Sequence, residues 1–402
     1  MSAQAPRLDL RAGPGFLGLN RNTVILLAAI ILIAAGEETW MRFVPKYLEV
    51  LGASALVIGA YDGLKTLLGA VYAWPGGMIV DRFGHRTALT WFTLLSIAGY
   101  LFVLAVPHWA AVLGGAFLFL AWTTLSLPAS FTLVAASLPA GKHTMGIGVQ
   151  SLVRRIPVIA GPIAGGLLID CFGVVEGVRY GLLASVVLGG LAVWLQQRID
   201  IPFSNSPPGE CGLRQALRQS DPRLRRLLWS DILIRFCERI PFAWVVIYAM
   251  DDLGASASAV GVLIGIEMVA AIACYVPTAW LADRYGKEPF IIATFIIFTA
   301  FPLALSFSTG FASLAVAFTI RGLKEFGEPA RKALILTYAA PNARGTAVGA
   351  YYLIRDGVVS IGALAGAWLW NIAPQVNFWS AAALGACGTA FYVATLQRES
   401  SL

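Results

Sequence analysis

Between two long apolar runs lies Gly77-Met78-Ile79-Val80-Asp81-Arg82-Phe83-Gly84-His85-Arg86, a charged stretch ended by a glycine. It returns 202 positions later, where Ala279 stands for Gly77 and Asp283-Arg284-Tyr285-Gly286-Lys287 for the charged end. The same near-constant offset links Leu51-Gly52-Ala53-Ser54 to Leu253-Gly254-Ala255-Ser256 and Pro75 to Pro277. It also links Pro128-Ala129 to Pro329-Ala330, Arg154 to Arg355, and Gly161 and Gly165 to Gly362 and Gly366. An offset held over most of each half marks an internal duplication.

Each copy is mostly apolar. The 402 residues are 58% hydrophobic and 13% charged, against roughly 25% charged in soluble domains. Apolar windows long enough to cross a bilayer fall near 22–48, 55–78, 88–107, 109–138, 145–170 and 178–197. A second set falls near 229–250, 258–280, 289–308, 311–338, 346–370 and 377–396. The expectation is an all-α integral membrane protein with 12 transmembrane helices in two six-helix bundles, 22–197 and 229–396. A tail (1–21), a polar central loop (198–228) and a short end (397–402) complete the chain. The first apolar segment is too long for a cleavable signal.

Charge sets the expected orientation. The loops of one side carry Arg7, Arg11, Arg82, Arg86, Lys142, the arginines between Arg198 and Arg226, Arg284, Lys287, Arg344 and Arg398. The other side carries Lys46 and Arg179. The positive-inside rule then places both termini in the cytoplasm. The net charge of +7 faces anionic headgroups, and no nucleic-acid motif accompanies it. Five scattered cysteines form no CxxC pair, and three distant histidines make no metal cluster. Neither a cofactor nor a metal is expected. No nucleophile–base motif, P-loop or ATP-binding segment suggests an enzyme, so transport would draw on an ion or solute gradient.

The stretch at 77–86 resembles the loop signature of the major facilitator superfamily: glycine, three residues, aspartate, arginine, any residue, glycine and two basic residues. His85 takes the first basic place and Ala279 replaces the first glycine of the second copy. The resemblance implies two bundles that rock about a midplane site. It also implies a state-stabilising gate at Gly77, Asp81, Arg82, Gly84, Arg86, Asp283, Arg284 and Gly286, located in the loops after spans two and eight. Further on, Gly161, Pro162, Gly165 and Gly166 look like the motif of the family's antiporter branch, with Pro157 in the leading place usually held by glycine. Small residues four apart also let helices pack closely.

Ionisable residues inside the spans are costly and normally face a partner or a wet cavity. Eleven basic residues stand against eight acidic ones, an excess of three. In the tenth span Arg321, Lys324, Glu325, Glu328, Arg331 and Lys332 recur at steps of three and four. A continuous helix would pair Arg321 with Glu325 and Lys324 with Glu328, and would let Arg331 and Lys332 reach the cytoplasmic water. Glu37, Glu38 and Glu238 are the proton-coupling candidates, because acids in the first span resemble the proton-coupled efflux branch. Arg154, Arg321, Lys324, Glu325, Arg355 and Asp356 are the substrate-cavity candidates. Trp40, Trp122, Phe242, Trp244 and Tyr351 are candidate aromatic walls.

Three functions fit these residues. The first is proton-coupled export of a small amphipathic or anionic compound by a monomer working with protons in the bilayer. The second is uptake or exchange of an anionic metabolite, favoured by the basic excess. The third is a membrane scaffold or sensor that moves nothing.

Overall fold

Every element in the structure, a computed structural model describing residues 21–125, 154–199, 218–340 and 344–400, is helical. Stretches such as Val24–Val50, apolar apart from Glu37, Glu38, Arg42, Lys46 and Glu49, can bury their amides in lipid only by bonding them along the helix. In the first repeat α1 (Arg21–Trp40), a 3-10 turn (Met41–Phe43) and α2 (Val44–Val50) form one interrupted span. Then come α3 (Ala55–Phe83), α4 (His85–Ala105), α5 (Trp109–Phe119) and α6 (Arg155–Gln196). Gly173, at φ +81°, breaks α6 into two antiparallel-capable lengths.

The second repeat opens with α7 (Pro222–Phe242), α8 (Trp244–Ile247) and a π-turn (Tyr248–Asp252). It continues with α9 (Ala257–Tyr285), α10 (Glu288–Ser306) and α11 (Phe311–Leu323). A 3-10 turn (Lys324–Gly327) leads into α12 (Glu328–Tyr338), followed by α13 (Arg344–Ile372) and α14 (Pro374–Ser400). Eight of the described helical stretches are long and apolar enough to cross a membrane. Large side chains such as Trp91, Trp194, Trp280 and Trp368 project outward, more than half exposed, as a lipid-bathed surface allows.

Helix α7 starts inside the stretch read as the central loop. Asp221 caps it by accepting from the Arg223 amide at 2.8 Å, and the Arg223 side chain holds that carboxyl below its usual range. Leu224, Leu227 and Leu228 are buried while Arg223, Arg225 and Arg226 are exposed, so the helix is amphipathic before it turns apolar. The remainder of the central loop, 200–217, lies outside the described residues, as do the N-terminal tail and 126–153.

The duplication is visible in three dimensions. Helices α3 and α9 each have 29 residues and end at equivalent glycines, Gly84 (φ +79°) and Gly286 (φ +92°). Both motif copies are therefore helical through Phe83 and Tyr285, which corrects the expectation that they lie in loops. Nothing in Met78-Ile79-Val80 breaks a helix; only the glycine with positive φ does.

Helix crossings repeat as well. A Cβ added to Gly165 would sit 1.6 Å from the Thr39 carbonyl oxygen, and one on Gly366 would sit 2.3 Å from that of Ile240. Those two contacts are equivalent under the repeat, one within each half. Across the halves, a Cβ added to Gly59 would sit 2.7 Å from the Ala363 carbonyl oxygen and one on Gly261 would sit 2.4 Å from that of Pro162, again an equivalent pair. The interface is thus built from two matching crossings, α3 on α13 and α9 on α6, each possible only because glycine lets backbones touch.

Candidate functional site

The interface between the halves is layered along the helix axes. At the rim, Lys46 Nζ reaches Asp251 Oδ2 at 2.6 Å and Glu49 at 2.8 Å. Below it a cavity of about 30 Å³ is lined from both halves, among others by Tyr61, Asp62 and Lys65 on α3 and by Phe242, Val246 and Arg321. Asp62 accepts from Arg239 Nη1 at 3.0 Å, a bridge between halves. Farther from the rim, a cavity of about 380 Å³ opens between α3, α7 and α13, within the usual size of small-molecule sites.

This larger cavity is lined by four basic residues, Lys65, Arg235, Arg239 and Arg355, and two acidic ones, Glu238 and Asp356. Thr66, Thr123 and Thr124 add hydroxyls, and Phe242 and Val359 supply apolar surface. A larger hollow of about 580 Å³ lies away from the interface between α10 and α14. No charged residue lines it, so it lacks the convergent polar groups of a recognition site.

The carboxylates of the two halves have different company. Glu37 is 5% exposed. It accepts from Tyr100 Oη at 2.6 Å and from Thr123 Oγ1 at 2.8 Å, and forms no ion pair among the described residues. Its helix is pinned from the opposite side, where Gly161 and Gly165 press on Glu38 and Thr39. Glu38 pairs with Arg42 at 3.2 Å, one turn away.

In the second half the ions form a continuous network. Asp231 is the hub: it pairs with Arg331, lies 3.4 Å from Arg355 and accepts from Tyr351 Oη at 2.9 Å. Arg331 also holds Glu328 at 2.6 Å, and Glu328 pairs with Arg235. Arg235 holds Glu238 at 2.6 Å, and Lys324 joins Glu238 at 2.8 Å to Glu267 at 3.4 Å. Arg321 pairs with Glu267 at 3.4 Å. Glu238 is thus held by two cations, unlike Glu37.

Several sequence expectations change here. The spacing in the tenth span predicts Arg321–Glu325 and Lys324–Glu328 pairs, yet Arg321, Lys324 and Glu325 pair off their own helix and Glu328 pairs with Arg331 and Arg235. The 3-10 turn at Lys324–Gly327 rotates the face between α11 and α12. Glu325 instead approaches Arg155 of the other half at 3.9 Å. Arg331 is 3% exposed and bound to Asp231 rather than reaching water, whereas Lys332 is exposed.

Of the substrate-cavity candidates, Arg355 and Asp356 line the larger cavity, 2.7 Å apart from Nε to Oδ1. Arg321 lines the small one. Lys324 stands behind Glu238 in the network, and Arg154 sits at the start of α6 beside the undescribed segment. Among the aromatics only Phe242 lines a cavity. Trp40 packs edge-on against Tyr100 and Phe119, Trp122 is buried in the core of the first half, and Trp244 stacks on Trp370. Tyr351 serves Asp231. Asp231 is not among the residues the sequence singles out, and neither are Tyr100 and Thr123, because hydroxyl partners of a carboxyl carry no sequence spacing.

The gate motif lies at the end away from Lys46. Arg82, Asp283 and Arg284 are exposed there. Arg86 donates to Gln197 Oε1 at 3.0 Å and 3.2 Å, and Arg284 lies over the rings of Trp280 and Tyr285. The side chain of Asp81 lies outside the described set, while Gly77 lies within α3.

Two repeated bundles meeting at a charged midplane cavity define a secondary transporter rather than an enzyme. A profile of the Major Facilitator Superfamily matches residues 25–237 and again 227–401, so the chain belongs to that family and is an integral, multi-pass membrane protein. It is 26% identical over 341 residues to the multidrug resistance protein MdtH of Cronobacter sakazakii, covering 81% of this chain and 80% of that protein. The MdtH of Yersinia pestis is 25% identical over 343 residues, with the same coverage. Among solved structures, the nucleoside transporter NupG superposes with a TM-score of 0.79 at 12% identity, over 93% of this chain and 99% of that one. An inward-facing bacterial homologue of the iron transporter ferroportin superposes at 0.73 and 16% identity, over 93% and 98%. At such identities these likenesses concern the fold.

Proposed function

We propose that the chain exports an amphipathic compound bearing an anionic group in exchange for protons, by alternating access. The observation that carries this reading is Glu37: a buried carboxyl on a cavity helix, held by two hydroxyls and in no ion pair among the described residues. A proton can sit there without breaking an ion pair. Burying an unpaired charge at that depth is costly, so loading and unloading Glu37 acts directly on α1. The same turn of α1 is clamped by Gly161 and Gly165 of the antiporter-like motif, and α6 in turn touches the opposite half through Gly166 and Pro162. Protonation thus has a short mechanical route to the interface.

Similarity to multidrug resistance proteins supports export, and four basic against two acidic cavity residues support an anionic group on the solute. With both termini cytoplasmic, the rim closed by Lys46 and Asp251 faces outside, and the larger cavity belongs to an inward-facing state. The Asp81/Arg82/Arg86 motif would then act in the opposite state, when the cytoplasmic ends meet. The account has the protein working as a monomer, since one chain carries both halves of the interface.

A second reading, exchange of an anionic metabolite without protons, is favoured by the basic excess alone. Liposomes holding purified protein and a lumenal pH dye separate the two. The account expects proton movement that depends on added amphipathic anion. Labelled-anion exchange with no pH change would replace it with the second reading.

A further inference from the structure

We infer that the small cavity beneath the rim is a binding site for one halide-sized anion, which locks the two halves in the arrangement seen here. At about 30 Å³ it has room for a water-sized occupant and is roughly an order of magnitude too small for an organic solute. Its charged lining is Arg42, Lys65 and Arg321 against Asp62.

Three of these four already have partners: Arg42 with Glu38 at 3.2 Å, Arg321 with Glu267 at 3.4 Å, and Asp62 with Arg239 at 3.0 Å. Lys65, which stands in the wall shared by the small and the larger cavity, forms no ion pair among the described residues. A second polar group is also unsatisfied. Tyr61 is 2% exposed, and its hydroxyl has no hydrogen-bond partner among the described residues.

An ammonium and a hydroxyl donor lining one ion-sized space are the donor set of a small anion. Water would satisfy the hydroxyl but supply no charge to balance the ammonium. Met41, Pro45, Val246 and Phe318 complete the wall, an apolar lining that suits a weakly hydrated halide.

Because α3 supplies the ammonium and the second half supplies the opposite wall, an anion here binds only when the halves are together. It therefore shifts the population toward this closed-rim state. This inference concerns an inorganic ligand and stands whether or not the solute or the coupling ion proposed above is correct.

The test is thermal unfolding of the full-length protein in detergent at fixed ionic strength, with sodium chloride replacing sodium gluconate in steps. The expected result is a saturable rise in the unfolding midpoint with chloride, reproduced by bromide. Lys65→Gln should weaken the half-saturating chloride concentration at least about tenfold, and Lys65→Arg should restore part of the response. Arg179→Gln, in an exposed pair with Glu176 outside the cavity, should keep it. Bromide-soaked crystals of the unaltered protein should show an anomalous peak beside Lys65, a readout that does not depend on any variant folding. Identical midpoints in chloride and gluconate for the unaltered protein, or a full chloride response in Lys65→Gln, would overturn the inference and leave the cavity to water.

Discussion

The two halves share a backbone plan to within a residue, yet they treat charge in opposite ways. In the first half one buried carboxyl, Glu37, rests on Tyr100 and Thr123. In the second half Asp231, Glu238, Glu267 and Glu328 are each locked to arginine or lysine. Duplication thus preserved the crossings, such as Gly165 on Thr39 and Gly366 on Ile240, while the side-chain chemistry diverged. Packing the two halves together uses the symmetry; the proposed exchange of protons for solute needs one carboxyl that is free to change charge. An ion network fixes helix register, because each charge is costly to leave alone.

The sharpest way to break this contrast is to remove the hub of the second half. Asp231→Asn removes the carboxylate shared by Arg331 and Arg355, leaving them only Glu328 and Asp356, and should cost about 3–5 kcal/mol of stability, read as a lower unfolding midpoint and poorer recovery in detergent. The neutral change Glu37→Gln in the first half should cost less than about 1 kcal/mol, because its amide oxygen accepts from one of the Tyr100 and Thr123 hydroxyls while its NH2 donates to the other. Equal losses would mean that the halves do not differ as described.

Next come the crossings that the halves share. Gly165→Ala and Gly366→Ala each force a methyl into a carbonyl oxygen, and each should cost about 1–3 kcal/mol. Similar penalties at the two equivalent positions would sharpen the symmetry; a penalty in one half alone would break it. Tyr100→Phe should cost about 1 kcal/mol and also alter the pH at which transport is half-maximal, a readout that packing alone would leave still. Smallest is Lys46→Gln at the partly exposed rim. It should change stability by about 0.2–1 kcal/mol, yet shift the balance of states, measured as faster labelling of a cysteine introduced beneath the rim.

Much of this architecture is legible in the sequence because apolar length and a fixed offset are local properties. Arg154/Arg355 and Gly161/Gly362 announce the repeat, and Asp81-Arg82-Phe83-Gly84 the family. Partner choice is less legible. Helical spacing places Arg321 and Glu325 on one face, but it cannot foresee the 3-10 turn that sends Arg321 to Glu267 and Glu325 toward Arg155. Asp62 and Arg239 are 177 positions apart, and only the meeting of the bundles joins them. Among the proton candidates, Glu37, Glu38 and Glu238 are alike as letters. Their neighbours in space separate one hydroxyl-held carboxyl from two bound in ion pairs.

The central claim is that Glu37, rather than Glu238, carries the coupled proton. Its most direct test is proton movement into dye-loaded liposomes containing the unaltered protein, Glu37→Gln or Glu238→Gln, each given the same amphipathic anion. The account predicts that Glu37→Gln abolishes solute-dependent proton movement while still binding the solute. Glu238→Gln, which disturbs the network and the cavity wall, should weaken solute binding but keep protons and solute moving together. Unchanged proton movement in Glu37→Gln would contradict the account.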